Sequence, residues 1–215
     1  MLKLAVLISG GGSNLKALLD ATAEPGFPAR VACVGSDTEA PGLAHAEAAG
    51  VPTFVVRPGD YGSRDEWGRV LAAAIQEHGV GTGPDPGLVV SAGLMRILPA
   101  GFVREFSPRL INTHPALLPS FPGAHAVREA LAAGVSETGV TVHVIDEGID
   151  TGPVLRQAVV AVRDGESEDE LHERIKRVER PLLVEVVRDI ALGRLRLPGA
   201  AGLPSRAPDG DRGTH

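Results

Sequence analysis

The first fifteen residues restrict the fold more than any other stretch. Leu2 to Ile8 is apolar except for Lys3, and it ends in Ser9 and three glycines, Gly10, Gly11 and Gly12. A strand that is apolar on both sides has to be buried on both. That is the condition of a strand in a parallel sheet covered by helices. Leu15 to Ala21 continues with helical spacing, and Ser13 or Asn14 can cap that helix or touch the anion. Strand, glycine loop and helix together turn backbone N–H groups and a helix N-terminus toward an anion. The spacing does not fit G-x-G-x-x-G, because Leu15 stands where the third glycine belongs, and no lysine ends the loop as in a P-loop. One phosphate is implied, not a dinucleotide or a nucleoside triphosphate. A tight turn that uses glycine only for its freedom is the alternative.

The alternation continues. Arg30 to Gly35 reads as a second buried strand, Pro41 to Ala49 as a short helix stopped by Gly50, and Thr53 to Val56 as a third strand. Ser63 and Glu66 form an expected capping box for a helix running to about His78. Arg64 sits in its first turn, poorly placed for the helix dipole, so it serves either solvent or a ligand. Gly79 to Gly87 is loop, and Leu88 to Val90 a fourth strand. Ala92 to Leu98 leaves that strand as an apolar loop containing Met95, Arg96, Ile97 and Leu98. It suits core packing or a flat aromatic ligand. Ala124 to Ala133 reads as a helix. Thr138 to Ile145 is a strand with valines on one side and Thr141 and His143 on the other. A glycine-hinged acidic loop, Asp146, Glu147, Gly148, Ile149, Asp150, Thr151, Gly152, precedes a strand from Pro153 to Val162. Ser167 and Glu170 predict a second capping box on a helix to about Ile190, which Pro181 should kink or split. The fold class is therefore α/β, a Rossmann-like doubly wound sheet, parallel in its N-terminal half and mixed toward the C-terminus. We expect one domain over 1–198, with halves of about 1–100 and 101–198, and a disordered tail over 199–215.

Composition excludes several classes of function. Twenty-seven acids against 21 bases give a net charge of -6, which argues against a nucleic-acid surface. Charged or polar residues interrupt every apolar run, so no membrane span is expected. The N-terminal run stops at a glycine loop instead of a small-residue cleavage site, and the single Cys33 excludes an internal disulfide framework. A cytoplasmic enzyme-sized protein is the expectation.

The chemistry centres on Leu110 to Gly123, L-I-N-T-H-P-A-L-L-P-S-F-P-G. Residues i and i+2 of an extended segment share a face, so Asn112 and His114 point into one site. Pro115 ends regular pairing, and Pro119 and Pro122 stiffen the following loop. Such a polar pair at a strand's carboxyl end is where α/β proteins place sites. Taken with Asp150, it suggests acid–base chemistry, since an acid beside an imidazole favours its charged form and fixes the ring. Asn112 and His114 then form two converging donors, as in an oxyanion hole. No Ser or Cys nucleophile accompanies them in a recognisable motif, which favours direct attack by a substrate amine. His114, His125, His143 and Asp150 lack the spacing of a hydrolytic metal motif, and no metal is expected. The residues alone give acyl transfer to or from a phosphorylated small molecule.

Four blocks carry a resemblance over about Lys3 to Leu192: V-L-I-S-G-G-G-S-N-L-K-A-L from Val6, A-G-L-M-R-I-L from Ala92, I-N-T-H-P-A-L-L-P-S-F-P-G from Ile111, and G-V-T-V-H-V-I-D-E-G-I-D-T-G-P from Gly139. The chain resembles the folate-dependent phosphoribosylglycinamide formyltransferases, whose motifs tolerate variation at the positions of Gly11 and Ala116. The last two blocks are shared by formyltetrahydrofolate enzymes generally; the first discriminates. The resemblance implies the formyltransferase fold and 10-formyltetrahydrofolate as co-substrate. It implies Gly12, Ser13 and Asn14 at the phosphate of glycinamide ribonucleotide, with Glu179, Lys176, Arg177 and Val178 on its ribose and glycinamide side. Arg64, Met95, Arg96, Ile97 and Leu98 would meet the reduced folate, and Asp146, Glu147, Gly148, Ile149 and Asp150 would close over its pterin. Asn112, His114 and Asp150 would be catalytic, Asn112 and Asp150 also touching the folate, with His143 in support. The partners would be these small molecules, without nucleic acid or membrane, for a monomer or homodimer. A formyltetrahydrofolate deformylase and a non-catalytic phosphate-ligand module are the competing readings. Ser13→Ala is expected to weaken nucleotide binding more than folate binding in a titration of each; equal losses would remove the phosphate role.

Overall fold

The computed structural model describes residues 1–81 and 86–198. The tail expected over 199–215 and the middle of the loop expected at Gly79 to Gly87 lie outside the described residues. Seven strands form one sheet: β1 (Leu2–Ile8), β2 (Ala29–Ser36), β3 (Thr53–Val55), β4 (Leu88–Ser91), β5 (Leu110–His114), β6 (Glu137–Val144) and β7 (Val154–Ala161). Their order is β3-β2-β1-β4-β5-β6-β7. The first five are parallel, and β6 and β7 are antiparallel additions at one edge. The helices are α1 (Ser13–Ala23), α2 (Leu43–Ala48), α3 (Arg64–Glu77), α4 (Ala100–Phe106), α5 (Ala126–Ala132) and α6 (Glu168–Ala191).

Strand β1 divides its side chains between two cores, as its two-sided apolarity requires. Leu4, Val6 and Ile8 join one core with α1, α2 and α6, whereas Ala5 and Leu7 join the other with α3 and α4. The second core is built around Trp67, whose indole N–H donates to the Val56 carbonyl at 2.9 Å. Losing so large a buried ring typically costs about 3–5 kcal/mol. Cys33 lies in the same core, and burial pushes its thiol up to about 12, so it is chemically inert near neutral pH. The parallel order reverses at β1 and β4, which opens a crevice beyond their carboxyl ends. The glycine loop after β1 and the apolar loop after β4 both lie there.

Local signals hold in part. Ser167 and Glu170 form the full capping box of α6. At α3, Ser63 Oγ accepts the Glu66 N–H, but the Glu66 carboxylate reaches back to the Gly62 N–H instead of to Ser63. Helix α1 differs more. Its N-cap is Gly12, at φ 70, and neither Ser13 nor Asn14 caps it; both lie inside the first turn. A Cβ on Gly12 would come within 3.0 Å of the Gly42 Cα, because the Gly42 N–H donates to the Gly10 carbonyl and draws the two loops together.

Pro181 does not split α6, which runs unbroken from Glu168 to Ala191. The proline is exposed, while Leu171, Ile175, Leu182, Leu183, Val186, Val187 and Ile190 press the opposite stripe against the sheet. That burial holds the helix across the hydrogen bond that proline cannot make. Pro181→Ala restores the donor at an exposed site, so the expected result is a gain of about 1–3 kcal/mol in urea unfolding at unchanged activity.

Candidate active site

The alternation of β5 sorts its side chains by face. Leu110 enters the core under α3 and α4, and Ile111 the core under α1 and α6. Asn112 and His114 therefore follow Leu110's face, and Thr113 follows Ile111's. β6 pairs antiparallel with β5, setting His143 opposite Asn112 and Thr141 opposite His114. A β-bulge interrupts the β6–β7 register between Val142 and His143, where bulges commonly re-aim side chains. Asn112, His114 and His143, from two strands, thus share one patch.

The loop between β6 and β7 supplies the fourth member. Asp146 ties this loop together by accepting from the Gly148 N–H at 3.0 Å and the Thr151 hydroxyl at 2.7 Å. Asp150 adopts a left-handed φ of 54, an uncommon state for a residue with a side chain. Its Oδ2 accepts the Gly123 N–H at 2.8 Å and lies 3.4 Å from His114 Nδ1; its Oδ1 lies 3.4 Å from His143 Nε2. Hydrogen bonding from His143 is the largest influence on the carboxyl group, followed by burial, which opposes it, by the Gly123 N–H, and by the charges of both histidines. Together they bring it down to about 2.

The two imidazoles play different parts. His114 is almost fully buried, and its Nε2 meets the Phe121 carbonyl at 2.7 Å, which only an N–H can do. Its Nδ1 faces the Asp150 carboxylate at 3.4 Å, so both ring nitrogens look at acceptors. His143 Nδ1 donates to the Val144 carbonyl at 3.0 Å. Its Nε2 stands between Asn112 Nδ2 at 3.3 Å and the Asp150 carboxylate. A proton on that nitrogen serves the carboxylate; its absence serves the amide.

The other expected residues fall in three places. Gly12, Ser13 and Asn14 form the start of α1, where no side chain caps the helix and Asn14 Oδ1 is buried without a partner. Arg64, Met95, Arg96 and Ile97 line a cavity of about 420 Å³ with Pro58 and Trp67, and Leu98 is buried beside it. Arg64 Nη2 donates to the Ile97 carbonyl at 2.5 Å. Glu179 is buried on the other face of β5, where it accepts the Thr113 hydroxyl at 3.0 Å. Its neighbours turn elsewhere. Lys176 pairs with Glu173, Arg177 lies among Arg163, Glu166 and Arg174, and Val178 packs on the core. Glu147 pairs with Arg104 at 2.9 Å, and Ile149 is exposed. Sequence reasoning missed Thr113, the Phe121 carbonyl, the Gly123 N–H, Ser9 and Asp37. Strand alternation could have flagged Thr113 as facing away from its neighbours; no local signal marks the others.

Asp150 sets a pH window. Its carboxyl is ordinarily near 3.8 and is lowered in the fold, so its ionised form stabilises the native state above about pH 4, and that contribution is lost as pH falls toward 2. The stability difference between the parent and Asp150→Asn in urea melts should therefore be flat above about pH 5 and shrink between about pH 4 and pH 2. A difference independent of pH over that range would show that the carboxylate is not held ionised.

Comparison with known proteins gives the family. Residues 2–187 match the family model described as formyl transferase. A phosphoribosylglycinamide formyltransferase of Mycobacterium tuberculosis is 50% identical over 204 residues, covering 95% of this chain and 92% of that protein. One from Escherichia coli is 39% identical, covering 91% and 90%. The crystal structure of glycinamide ribonucleotide transformylase 1 from Symbiobacterium toebii superposes with a TM-score of 0.86 at 42% identity, covering 93% of this chain and 92% of that one. The chain belongs to the formyl transferase family, among its phosphoribosylglycinamide formyltransferases.

Proposed function

We propose that this protein transfers the formyl group of 10-formyltetrahydrofolate to the amine of 5'-phosphoribosylglycinamide, giving formylglycinamide ribonucleotide and tetrahydrofolate in purine biosynthesis. The observation that carries the reading is the convergence of His114 and His143 on the Asp150 carboxylate, with Asn112 against His143, in a chain whose relatives bear this enzyme's name. The catalytic unit is taken as one domain over 1–198 acting in the cytoplasm on small molecules, as a monomer or homodimer.

In this mechanism the glycinamide nitrogen attacks the formyl carbon. A C–N bond forms and the carbonyl electrons move onto oxygen. Asn112 Nδ2 donates an amide hydrogen to that oxygen. His114 Nδ1–H is held by Asp150 only at 3.4 Å, so it is available to a third atom. These two donors stabilise the tetrahedral oxyanion. As the intermediate collapses, the bond to the folate nitrogen breaks. Asp150, directly or through water, carries the proton lost by the attacking amine to that nitrogen. His143 supports by donating to Asp150 from Nε2. The uncapped N–H groups at Gly12, Ser13 and Asn14 receive the phosphate, since a helix N-terminus offers both donors and positive potential. Glu179, with Lys176, Arg177 and Val178 on the same helix, serves the ribose and glycinamide side. Arg64 and Met95 to Leu98 receive the reduced folate, and Asp146 to Asp150 cover its pterin.

The deciding assay follows tetrahydrofolate formation from 10-formyltetrahydrofolate with and without glycinamide ribonucleotide. Product only with the nucleotide is expected; equal product in both would make the protein a deformylase. Asn112→Ala and His114→Ala should each lower turnover by roughly 10²–10³ while melting cooperatively. Near-parental turnover in either would remove that residue from the mechanism.

A further inference from the structure

Beyond Ala92, the loop to Leu98 is fastened at four of its residues. The Ser9 N–H donates to the Gly93 carbonyl at 3.0 Å, and the Met95 N–H to Ser9 Oγ at 2.8 Å. Arg96 Nε donates to Asp37 Oδ2 at 2.6 Å, and Arg64 holds the Ile97 carbonyl. The Asp37 contact is unlike the others. Asp37 is the first residue beyond β2, and its side chain is only 4% exposed against 54% for Arg96. Its second oxygen, Oδ1, is buried without any partner.

A buried carboxylate with one oxygen unpaired costs stability, and an ion pair to a half-exposed arginine returns little of it. Packing alone does not explain an acid here. The geometry of the contact does. Asp37 grips Arg96 by Nε, the stem side of the guanidinium. Both terminal nitrogens of Arg96 are left without a partner among the described residues. An arginine held in this way has a fixed direction and a free fork. Arg96 and Arg64 both border the cavity lined by Met95, Ile97, Trp67 and Pro58.

We propose that Asp37 is a positioning residue for folate binding: from the end of β2 it orients Arg96 and so holds the 92–98 loop in its receiving shape. This rests on the reading of that loop as the folate site. Asp37→Asn preserves the shape and removes the charge. With each substrate varied in turn, it should raise the KM for 10-formyltetrahydrofolate roughly tenfold while kcat and the nucleotide KM stay within about twofold. In an Arg96→Ala background the same substitution should add nothing. A merely structural role would instead move kcat and both KM values together with Tm. An unchanged folate KM in Asp37→Asn, or the same rise in the Arg96→Ala background, overturns the proposal. If Asp37→Asn does not fold, Arg96→Ala decides: a higher folate KM at unchanged kcat supports it, and an unchanged one overturns it. A parent protein that does not consume 10-formyltetrahydrofolate would be a failure of the folate reading itself, visible before any variant is compared.

Discussion

The site depends on one carboxylate kept ionised between two imidazoles. Asp150 binds the Gly123 N–H, faces His114 and His143, and through them reaches the Phe121 carbonyl and Asn112. Its left-handed backbone costs of order 1–3 kcal/mol and persists only where the surroundings over-determine it. They do so from both sides. Asp146 clasps its own loop, and Gly152 lies so close to the Val144 carbonyl that a Cβ there would sit at 1.8 Å. The loop can therefore press inward onto the β5–β6 patch. Phe121, also left-handed at φ 53, presents its carbonyl to His114 from the opposite side. Two strained residues thus hold one ring.

The sheet order explains how two remote pieces of sequence come to serve one reaction. The glycine loop after β1 and the apolar loop after β4 meet because those strands are neighbours at the point where the winding reverses. Ser9 then joins them physically, through its N–H and its hydroxyl. Both of these bonds go to the proposed folate loop, three residues before the proposed phosphate loop reaches Gly12.

Much of this was legible in the chain, for reasons tied to period. The two-sided apolarity of Leu2 to Ile8 required helices on both faces, and β1 indeed feeds two cores. The i, i+2 rule placed Asn112 and His114 together, and the polar side of Thr138 to Ile145 placed His143 with them. What stayed hidden was decided by contacts distant in sequence or made by backbone. Asp37 is unremarkable until Arg96 is found against it, 59 residues away. The carbonyl of Phe121 and the N–H of Gly123 have no residue-type signature. Helix α1 has Gly12 as its N-cap, packed against Gly42 of another loop, so of the two roles open to Ser13 and Asn14 capping is not the one they take. Of the kink or split expected at Pro181, the split does not occur: the opposite stripe of α6 is buried and the helix runs on.

Strand β5 also acts as a partition. Asn112 and His114 stand on one side of it with the acid loop, and Thr113 stands on the other, bonded to Glu179 of α6. The proposed catalytic pair and this buried carboxylate, proposed for the nucleotide, are therefore separated by the thickness of a single backbone. Their relative placement is set by the pleat, not by any flexible connector. A slip of one residue would exchange the two sides completely, sending Thr113 to the acid loop and both donors to α6. The strand works as a jig whose tolerance is zero residues, and a long molecule bound across its end could be gripped on both sides at once without any hinge.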